Sequence, residues 1–237
     1  MNRKEFDMGE DRKEAQFRKM TGEKIPGLIL SLAVPTIISM IVTAIYNTAD
    51  TYFVSKLGTS ASGAVGIVMS LMGLIQSLGF MIGMGSGSWM SRLLGEKKDE
   101  TASKVAASGF YFSLVLGLLV AVMGCCFLDP LVGLLGATET IRPYAREYAQ
   151  YILYASPFLI ASFTMNKMLC AERKARFAMI GIASGGLLNM FLDPIFIFGL
   201  KLGIAGAAIA TGLSQIVGFC ILLYMFVSGR TIADLRW

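Results

Sequence analysis

Long apolar stretches alternate with short polar joints along most of this sequence. Six of these stretches, approximately residues 25–54, 61–90, 105–128, 148–170, 177–200 and 203–227, are long enough to cross a membrane. A helix rises ~1.5 Å per residue, and the hydrocarbon core of a bilayer is ~30 Å thick. The pattern therefore predicts an all-α integral membrane fold with six transmembrane helices.

Composition agrees with a membrane protein and argues against a soluble enzyme. The chain has 237 residues, of which 55% are hydrophobic and 16% are charged, whereas soluble domains are roughly 25% charged. It contains no histidine, so histidine-dependent nucleophiles and metal sites are excluded. Its four cysteines show no CxxC spacing, so neither a zinc site nor a disulfide framework is indicated. No cofactor is expected.

The basic residues are concentrated in the tail and in alternate loops (joints) between the spans, and this asymmetry predicts the orientation of the chain. Seventeen of the 21 Lys and Arg residues fall in the N-terminal tail, the second and fourth joints and the C-terminal end. By the positive-inside rule both termini are cytoplasmic, in a plasma or inner membrane. Residues 1–24 carry thirteen charges and form a cytoplasmic tail rather than a signal peptide. Residues 25–228 form the transmembrane lobe, and residues 229–237 form the cytoplasmic C-terminal end. The basic residues behind the net charge of +5 are distributed among the tail and the loops between spans and do not form one patch, so no nucleic-acid partner is indicated.

Two carboxylates lie well inside apolar stretches. They are Asp50 and Asp193, and Asn189 precedes Asp193 by four residues, so Asn189 and Asp193 share one helix face. A carboxylate within a spanning helix costs roughly 2.5 to 3.5 kcal/mol and by default marks a functional site. The alternative is that Asp193, next to Pro194, only marks the end of a helix at the membrane surface.

The two carboxylates are predicted to lie at a similar depth. Asp50 is six residues before the outward Lys56, and Asp193 is eight before the outward Lys201, so both fall in the outer half of the membrane. Thr211 is level with Asp193 if its helix begins near residue 203. Tyr148 lies at a comparable height, although an interfacial aromatic anchor explains it equally well.

The first span carries a polar row at helical spacing. The row consists of Thr36, Ser39, Thr43, Asn47 and Asp50. Lipid does not tolerate such a face, so Asn47 and its neighbours are predicted to face a cavity or polar groups.

Proline and glycine positions are also informative. Pro35 removes a backbone hydrogen bond and predisposes the first helix to bend, as a mobile hinge or as a static kink. The glycines within residues 83–88 and 185–186 lie inside apolar helices, so they indicate close helix packing rather than a nucleotide loop.

Several segments together resemble the N-terminal lobe of the multidrug and toxic compound extrusion family. They are Pro35 with NTADTYFVSKLG (47–58), SRLLG (91–95), NMFLDP (189–194) and KLGIAGAAIATG (201–212). The similarity runs from about residue 25 to residue 228 and is greatest to the prokaryotic, DinF-like branch, which places its coupling carboxylates in this lobe.

That resemblance implies cation-coupled export of amphipathic, often cationic compounds, and no enzymatic activity. Asp50, Asn189, Asp193 and Thr211 would form the site for H⁺ or Na⁺, and Tyr148 would border it. Pro35 would lie at the bend of the first helix, and Asn166 would join the substrate cavity.

The number of spans departs from the family, whose members have twelve in two lobes. The chain is therefore expected to be a fragment or a half that pairs with a C-terminal lobe or with a second copy of itself. Because six is even, two copies can insert with the same orientation and form a homodimer.

Three other functions are compatible with parts of the pattern. A lipid-linked oligosaccharide flippase of the wider superfamily would require a basic cavity. A channel subunit would line its pore with the glycine-rich second span and the polar first span. An intramembrane aspartyl protease would use two aspartates, but its YD and GxGD motifs are absent.

Overall fold

The protein is a bundle of long helices. The structure, a computed structural model, describes residues 25–228 and Thr231, and no strand occurs among them. The helices are α1 (Ile25–Ser55), α2 (Thr59–Gly95), α3 (Asp99–Cys126), α4 (Leu128–Leu134), α5 (Arg142–Ala171), α6 (Ala175–Pro194) and α7 (Gly203–Val227), with a π-helical turn at Ile195–Gly199. The six predicted spans correspond to α1, α2, α3, α5, α6 and α7, so the all-α membrane fold is confirmed.

Five helices of the described chain are long and apolar enough to cross a membrane, and α5 falls outside this set. The reason is its position. Helix α5 packs against α2, α3, α4, α6 and α7, and most of its residues from Ala145 onwards are buried. A helix that its neighbours shield from lipid can carry polar side chains that a lipid-facing helix cannot.

Glycines allow α2 to approach α5 closely. A Cβ atom added at Gly79 would lie 2.8 Å from Phe163 Cβ, and one at Gly83 would lie 2.8 Å from Lys167 Cβ. Helix association in a membrane depends on van der Waals packing, and small residues permit it. The packing role predicted for the glycines of residues 83–88 is therefore confirmed for Gly83, and Gly79 has the same role although the sequence did not indicate it.

A second glycine seam joins α6 to α7 and α1. A Cβ atom added at Gly185 would meet the carbonyl oxygen of Ser214 at 3.1 Å, and one at Gly186 would meet the Tyr46 ring at 2.6 Å. Helix α1 packs mainly against α6 and exposes many of its large apolar side chains. It is the peripheral helix of the site described below.

The observed helix boundaries differ from the apolar stretches at several ends; α2, for example, ends at Gly95 rather than at residue 90, and α3 begins at Asp99 rather than at residue 105. Helix α5 begins at Arg142, before the predicted residue 148, because Pro143 and the following charged turn start the helix outside the apolar region. The short helix Leu128–Leu134 was not predicted, since seven residues carry too little periodicity. Helix α6 ends at Pro194, and the π-helical turn replaces its predicted last turn.

Some predictions concern regions on which the structure gives no test. The cytoplasmic tail, residues 1–24, lies outside the described residues, as does the C-terminal end except Thr231. The orientation of the termini stays a prediction. Helix α1 continues through Pro35 without interruption, and whether it bends there in use also stays a prediction.

Candidate cation site and substrate cavity

Asp50 of α1 is hydrogen-bonded to Tyr148 of α5. The Tyr148 hydroxyl donates to Asp50 Oδ2 at 3.3 Å. Asp50 is 6% exposed and Tyr148 is fully buried. The contact spans two helices that are distant in sequence, and it holds the carboxylate of the peripheral helix against the centre of the bundle.

Asn189 links Asp193 to α7. Its amide Nδ2 donates to Asp193 Oδ1 at 3.0 Å on the same face of α6 and to Thr211 Oγ1 at 3.2 Å. The three side chains are 2%, 0% and 3% exposed, respectively. The four-residue spacing of Asn189 and Asp193 therefore produces the shared face that the sequence predicts. Asp193 is buried within the bundle, and α6 ends at the next residue, Pro194.

Tyr148 joins these two groups of side chains into one cluster. Its hydroxyl lies beside Thr211 and interacts electrostatically with both Asp50 and Asp193. The two carboxylates are close enough to interact with each other. We call Asp50, Tyr148, Asn189, Asp193 and Thr211 the carboxylate cluster. The structure thus places the five predicted residues together, at the meeting point of α1, α5, α6 and α7, and their role in cation coupling stays a prediction.

The carboxylate cluster is rich in buried oxygens and poor in donors. Asp50 Oδ1, Asn189 Oδ1 and Asp193 Oδ2 are buried without a hydrogen-bond partner in the described part of the chain. Burying an ionised carboxylate is costly unless a cation or donors compensate it. A proton on one carboxylate, or a hard cation among the oxygens, would relieve this deficit.

Neutral oxygens would be needed to complete any coordination shell here. Among the described residues no three His, Cys, Asp or Glu side chains form a metal-binding group. Two carboxylates with the oxygens of Asn189 and Thr211 have the chemistry that Na⁺ requires, since hard cations prefer oxygen ligands. The same residues fit a single proton shared within the pair.

A cavity of about 320 Å³ lies among α1, α2, α5 and α6. Asn47 and Asn166 both line it, together with Thr36, Ser39 and Thr43 of the polar row. The predicted position of the polar face towards a cavity is therefore confirmed, whereas binding of a substrate by Asn47 or Asn166 stays a prediction.

Asn166 also has a structural contact that the sequence did not indicate. Its amide Nδ2 donates to the carbonyl oxygen of Ala178 at 3.0 Å, which ties α5 to α6 beside the cavity. Pro35 is buried close by, and its carbonyl oxygen accepts a hydrogen bond from the Ser39 hydroxyl at 2.9 Å.

Sequence reasoning missed two pairs of residues near these sites. Tyr46 lies beside Gln215, and both line a small cavity of about 20 Å³. The Lys167 ammonium lies 4.4 Å from the centre of the Phe80 ring. Tyr46 lies one turn before Asp50, and Gln215 lies one turn after Thr211. This spacing could have indicated the first pair, but nothing in the sequence pairs Lys167 with Phe80.

The MatE family model matches residues 35–195. The chain is 31% identical over 207 residues to the multidrug export protein MepA of Staphylococcus haemolyticus, covering 86% of this chain and 46% of that protein.

Solved structures give the same result for the fold. A structure of MATE in the bent conformation matches with a TM-score of 0.86 and 32% identity, over 94% of this chain and 49% of the other. A structure in the straight conformation matches with a TM-score of 0.82 and 35% identity, over 88% and 47%. The chain spans about half the length of these relatives.

Proposed function

The chain belongs to the MatE family, and on that premise we propose that it forms one six-helix half of a cation-coupled exporter of amphipathic compounds. The coupling ion is H⁺ or Na⁺, carried at the carboxylate cluster. The substrate occupies the 320 Å³ cavity. The family consists of transporters rather than enzymes, and the long apolar helices support a multi-pass membrane protein. We place it in the plasma or inner membrane with both termini cytoplasmic.

The observation that carries this proposal is the pair of buried carboxylates, Asp50 and Asp193, within one cluster. Removal from water and mutual repulsion favour binding of a proton by the pair, whereas Na⁺ favours the doubly ionised form. The two ions therefore compete for the same oxygens. Such a site can bind a cation in one conformation of the protein and release it in another, which is what an antiporter requires.

Helix α1 connects the carboxylate cluster to the cavity. Asp50 lies in the cluster, and the polar row from Thr36 to Asn47 lines the cavity. An ion can shift the population of two conformations only if it binds one more tightly than the other. A change in the charge of Asp50 would alter its bond to Tyr148 and the position of α1, and therefore the shape of the cavity. Bending at Pro35 would accommodate this movement, and relatives solved in bent and straight conformations support it.

The name of a relative, multidrug export protein, supports an amphipathic substrate for this chain as well. Polar side chains of α1 line one side of the cavity, and Phe80 and Phe163 lie among its apolar side chains. Pockets that bind small molecules are lined in this way, mostly apolar with a few placed polar groups.

A second six-helix unit would complete the exporter. The relatives are about twice as long as this chain, and α1 exposes large apolar side chains such as Ile37, Met40 and Ile41. The partner is either a C-terminal lobe or a second copy of this chain, whose even number of spans permits the parallel arrangement. Crosslinking in membranes that captured only monomers would argue against the homodimer.

The channel alternative is less well supported than the exporter. A pore would use the glycines of α2 as its lining, but Gly79, Gly83 and Gly87 pack against α5. These three glycines therefore contact another helix and do not line an open pore.

The experiment that tests the proposal is dye efflux, under an imposed H⁺ or Na⁺ gradient, from proteoliposomes that contain the complete transporter, that is, this half together with its second six-helix unit. We expect efflux with at least one of the two gradients, and we expect Asp193→Asn to abolish it while the protein still inserts. Asp129→Asn is the matched control, because Asp129 is half exposed and pairs with Arg146 at 3.5 Å. Wild-type efflux by Asp193→Asn would remove the carboxylate cluster from the mechanism, and ion flux at channel rates without a gradient requirement would support a channel.

A further inference from the structure

We propose that the 320 Å³ cavity recognises the acidic group of an anionic amphiphile through the ammonium of Lys167. The inference rests on the proposed export function and specifies its substrate class. It departs from the expectation of a cationic substrate, and it assigns to this half of the protein a preference for a carboxylate, sulfonate or phosphate carried on an apolar body.

Lys167 is the charged residue of the cavity. Among the described residues that line it, Lys167 is basic and none is an aspartate or glutamate. No described carboxylate lies within salt-bridge distance of its ammonium either. The carboxylate cluster lies elsewhere in the bundle and does not line this cavity. The lobe therefore separates its two functions electrostatically, with negative groups at the cluster and a positive group at the cavity.

The surrounding helices hold the Lys167 side chain at the cavity. Its Cβ atom lies over Gly83 of α2, where a side chain would collide with it. Its ammonium lies 4.4 Å from the centre of the Phe80 ring, and Phe80 lines the same cavity. A cation–π contact orients an ammonium but leaves its N–H groups able to donate to a ligand.

Lys167 is half-buried at the cavity, one turn before α5 ends at Ala171. Ionisable residues inside a membrane bundle are rare, and they mark paths for ions and substrates. A ligand carboxylate or phosphate would form charge-assisted hydrogen bonds with the Lys167 ammonium in a medium of low dielectric constant. A ligand cation would be repelled by the same group. The cavity therefore discriminates by the sign of the charge.

The remaining lining indicates the body of the ligand. Phe80 and Phe163 form an edge-to-face pair with ring centres 5.0 Å apart, beside the apolar Met40 and Ile182. The volume is at the lower end of the range of roughly 300 to 1,000 Å³ that small-molecule sites occupy. One aromatic ring system with one acidic group fits this space. Two sources could supply the acidic group, namely a free aromatic acid or the headgroup of an acidic lipid.

A pair of fluorescent probes with the same skeleton isolates the effect of charge. Anilinonaphthalene sulfonate carries one sulfonate, and N-phenyl-naphthylamine is its neutral counterpart. Binding of each is titrated on the purified protein in neutral detergent. Three substitutions are compared, namely Lys167→Gln, Lys167→Arg and the control Lys104→Gln, which removes a charge from an exposed lysine that pairs with Glu100 at 2.8 Å.

We expect Lys167→Gln to weaken binding of the sulfonate about tenfold, the scale of one lost charged hydrogen bond, while binding of the neutral probe is unchanged. Lys167→Arg and Lys104→Gln should both retain binding of the sulfonate. In the wild type, added salt should weaken binding of the sulfonate and not of the neutral probe, which keeps the test valid if a variant fails to fold. Displacement of the sulfonate by phosphatidylglycerol would identify an acidic lipid as the source, and failure to displace it would identify a free acid.

Two results would overturn the inference. One is unchanged affinity for the sulfonate in Lys167→Gln, which would mean that the lysine is neutralised or turned away from the ligand. The other is equal loss of both probes, which would mean that Lys167 only shapes the cavity. In either case, gradient-driven export of a cationic dye by the same variant would leave the proposed export function intact, so the two failures are distinguishable.

Discussion

The Tyr148 hydroxyl donates a hydrogen bond to Asp50 at 3.3 Å across 98 positions of sequence. Helix α1 packs chiefly against α6, so this bond is a specific link from its carboxylate to the central helix α5. The other oxygen of Asp50 has no partner among the described residues. Formation or loss of the Tyr148–Asp50 hydrogen bond therefore determines whether α1 is fixed to α5 at the carboxylate cluster.

Tyr148→Phe removes the donor and keeps the ring. We expect gradient-driven efflux to fall about tenfold and the free energy of unfolding to fall by about 1 kcal/mol, the typical cost of one lost hydrogen bond. Proteoliposome efflux and denaturation in detergent measure the two effects. Tyr144→Phe is the control one turn away, since Tyr144 is exposed. Equal behaviour of the two variants would show that Tyr148 serves only as an aromatic anchor.

Thr211→Val removes the acceptor of Asn189 with little change of shape. The amide of Asn189 would keep its bond to Asp193 and lose the one to α7, so the ligand geometry loosens while the fold remains. We expect efflux and ion affinity to fall, with a loss of stability of about 1 kcal/mol. Thr211→Ser retains the hydroxyl and should restore activity. Full activity in the valine variant would contradict a role for the hydroxyl.

Gly83→Ala tests the packing of α2 against α5. The added methyl group would lie 2.9 Å from the Cα atom of Thr164, which requires the helices to separate. We expect a loss of about 1 to 3 kcal/mol in the free energy of unfolding. Gly85→Ala lies on the same helix with nothing within 4 Å, and it should be neutral or stabilising by up to about 1 kcal/mol. Denaturation of both variants measures the two free energies of unfolding. An unchanged stability of Gly83→Ala would contradict the close packing of α2 against α5 at this residue.

Pro35→Ala restores a backbone donor within α1. If α1 bends at this residue during transport, the straighter helix should slow turnover more than it weakens substrate binding. Efflux rates and probe affinity measured on the same preparation separate the two effects. Pro130→Ala is the control, because Pro130 is an exposed residue in the first turn of the short helix α4. An unchanged efflux rate would make Pro35 a static kink.

Much of the fold could be predicted because each helix is a long apolar stretch. The bundle core, however, depends on the rotation of each helix about its axis, which single stretches specify only weakly. Helix α5 illustrates the limit. Its polar first turn resembles a loop, so the apolar pattern places its start too late. Its central position shields it from lipid, which permits it to have the least apolar sequence of the long helices.

The same limit applies to the candidate site. The four-residue spacing of Asn189 and Asp193 is local, so the sequence predicted their shared face. Their approach to Asp50 followed from depth in the membrane, which the positively charged joints supply. The contact of Tyr148 could not be separated from an interfacial anchor, because both place a tyrosine at the same height. Lys167 was counted only as a charge that sets orientation, since its contact with Phe80 depends on how α2 and α5 pack.

The central claim is that Asp50 and Asp193 form one buried site that binds the coupling cation, either a proton or Na⁺. Labelling by dicyclohexylcarbodiimide tests it most directly, because this reagent reacts with protonated carboxyl groups in apolar surroundings, and mass spectrometry identifies the modified residue. We predict labelling of Asp50 or Asp193 near neutral pH that decreases as the pH rises, and protection by Na⁺ if Na⁺ is the coupling ion. The exposed Asp129 should remain unlabelled. Absence of labelling at both residues over the whole pH range, or labelling that neither pH nor Na⁺ changes, would contradict the account.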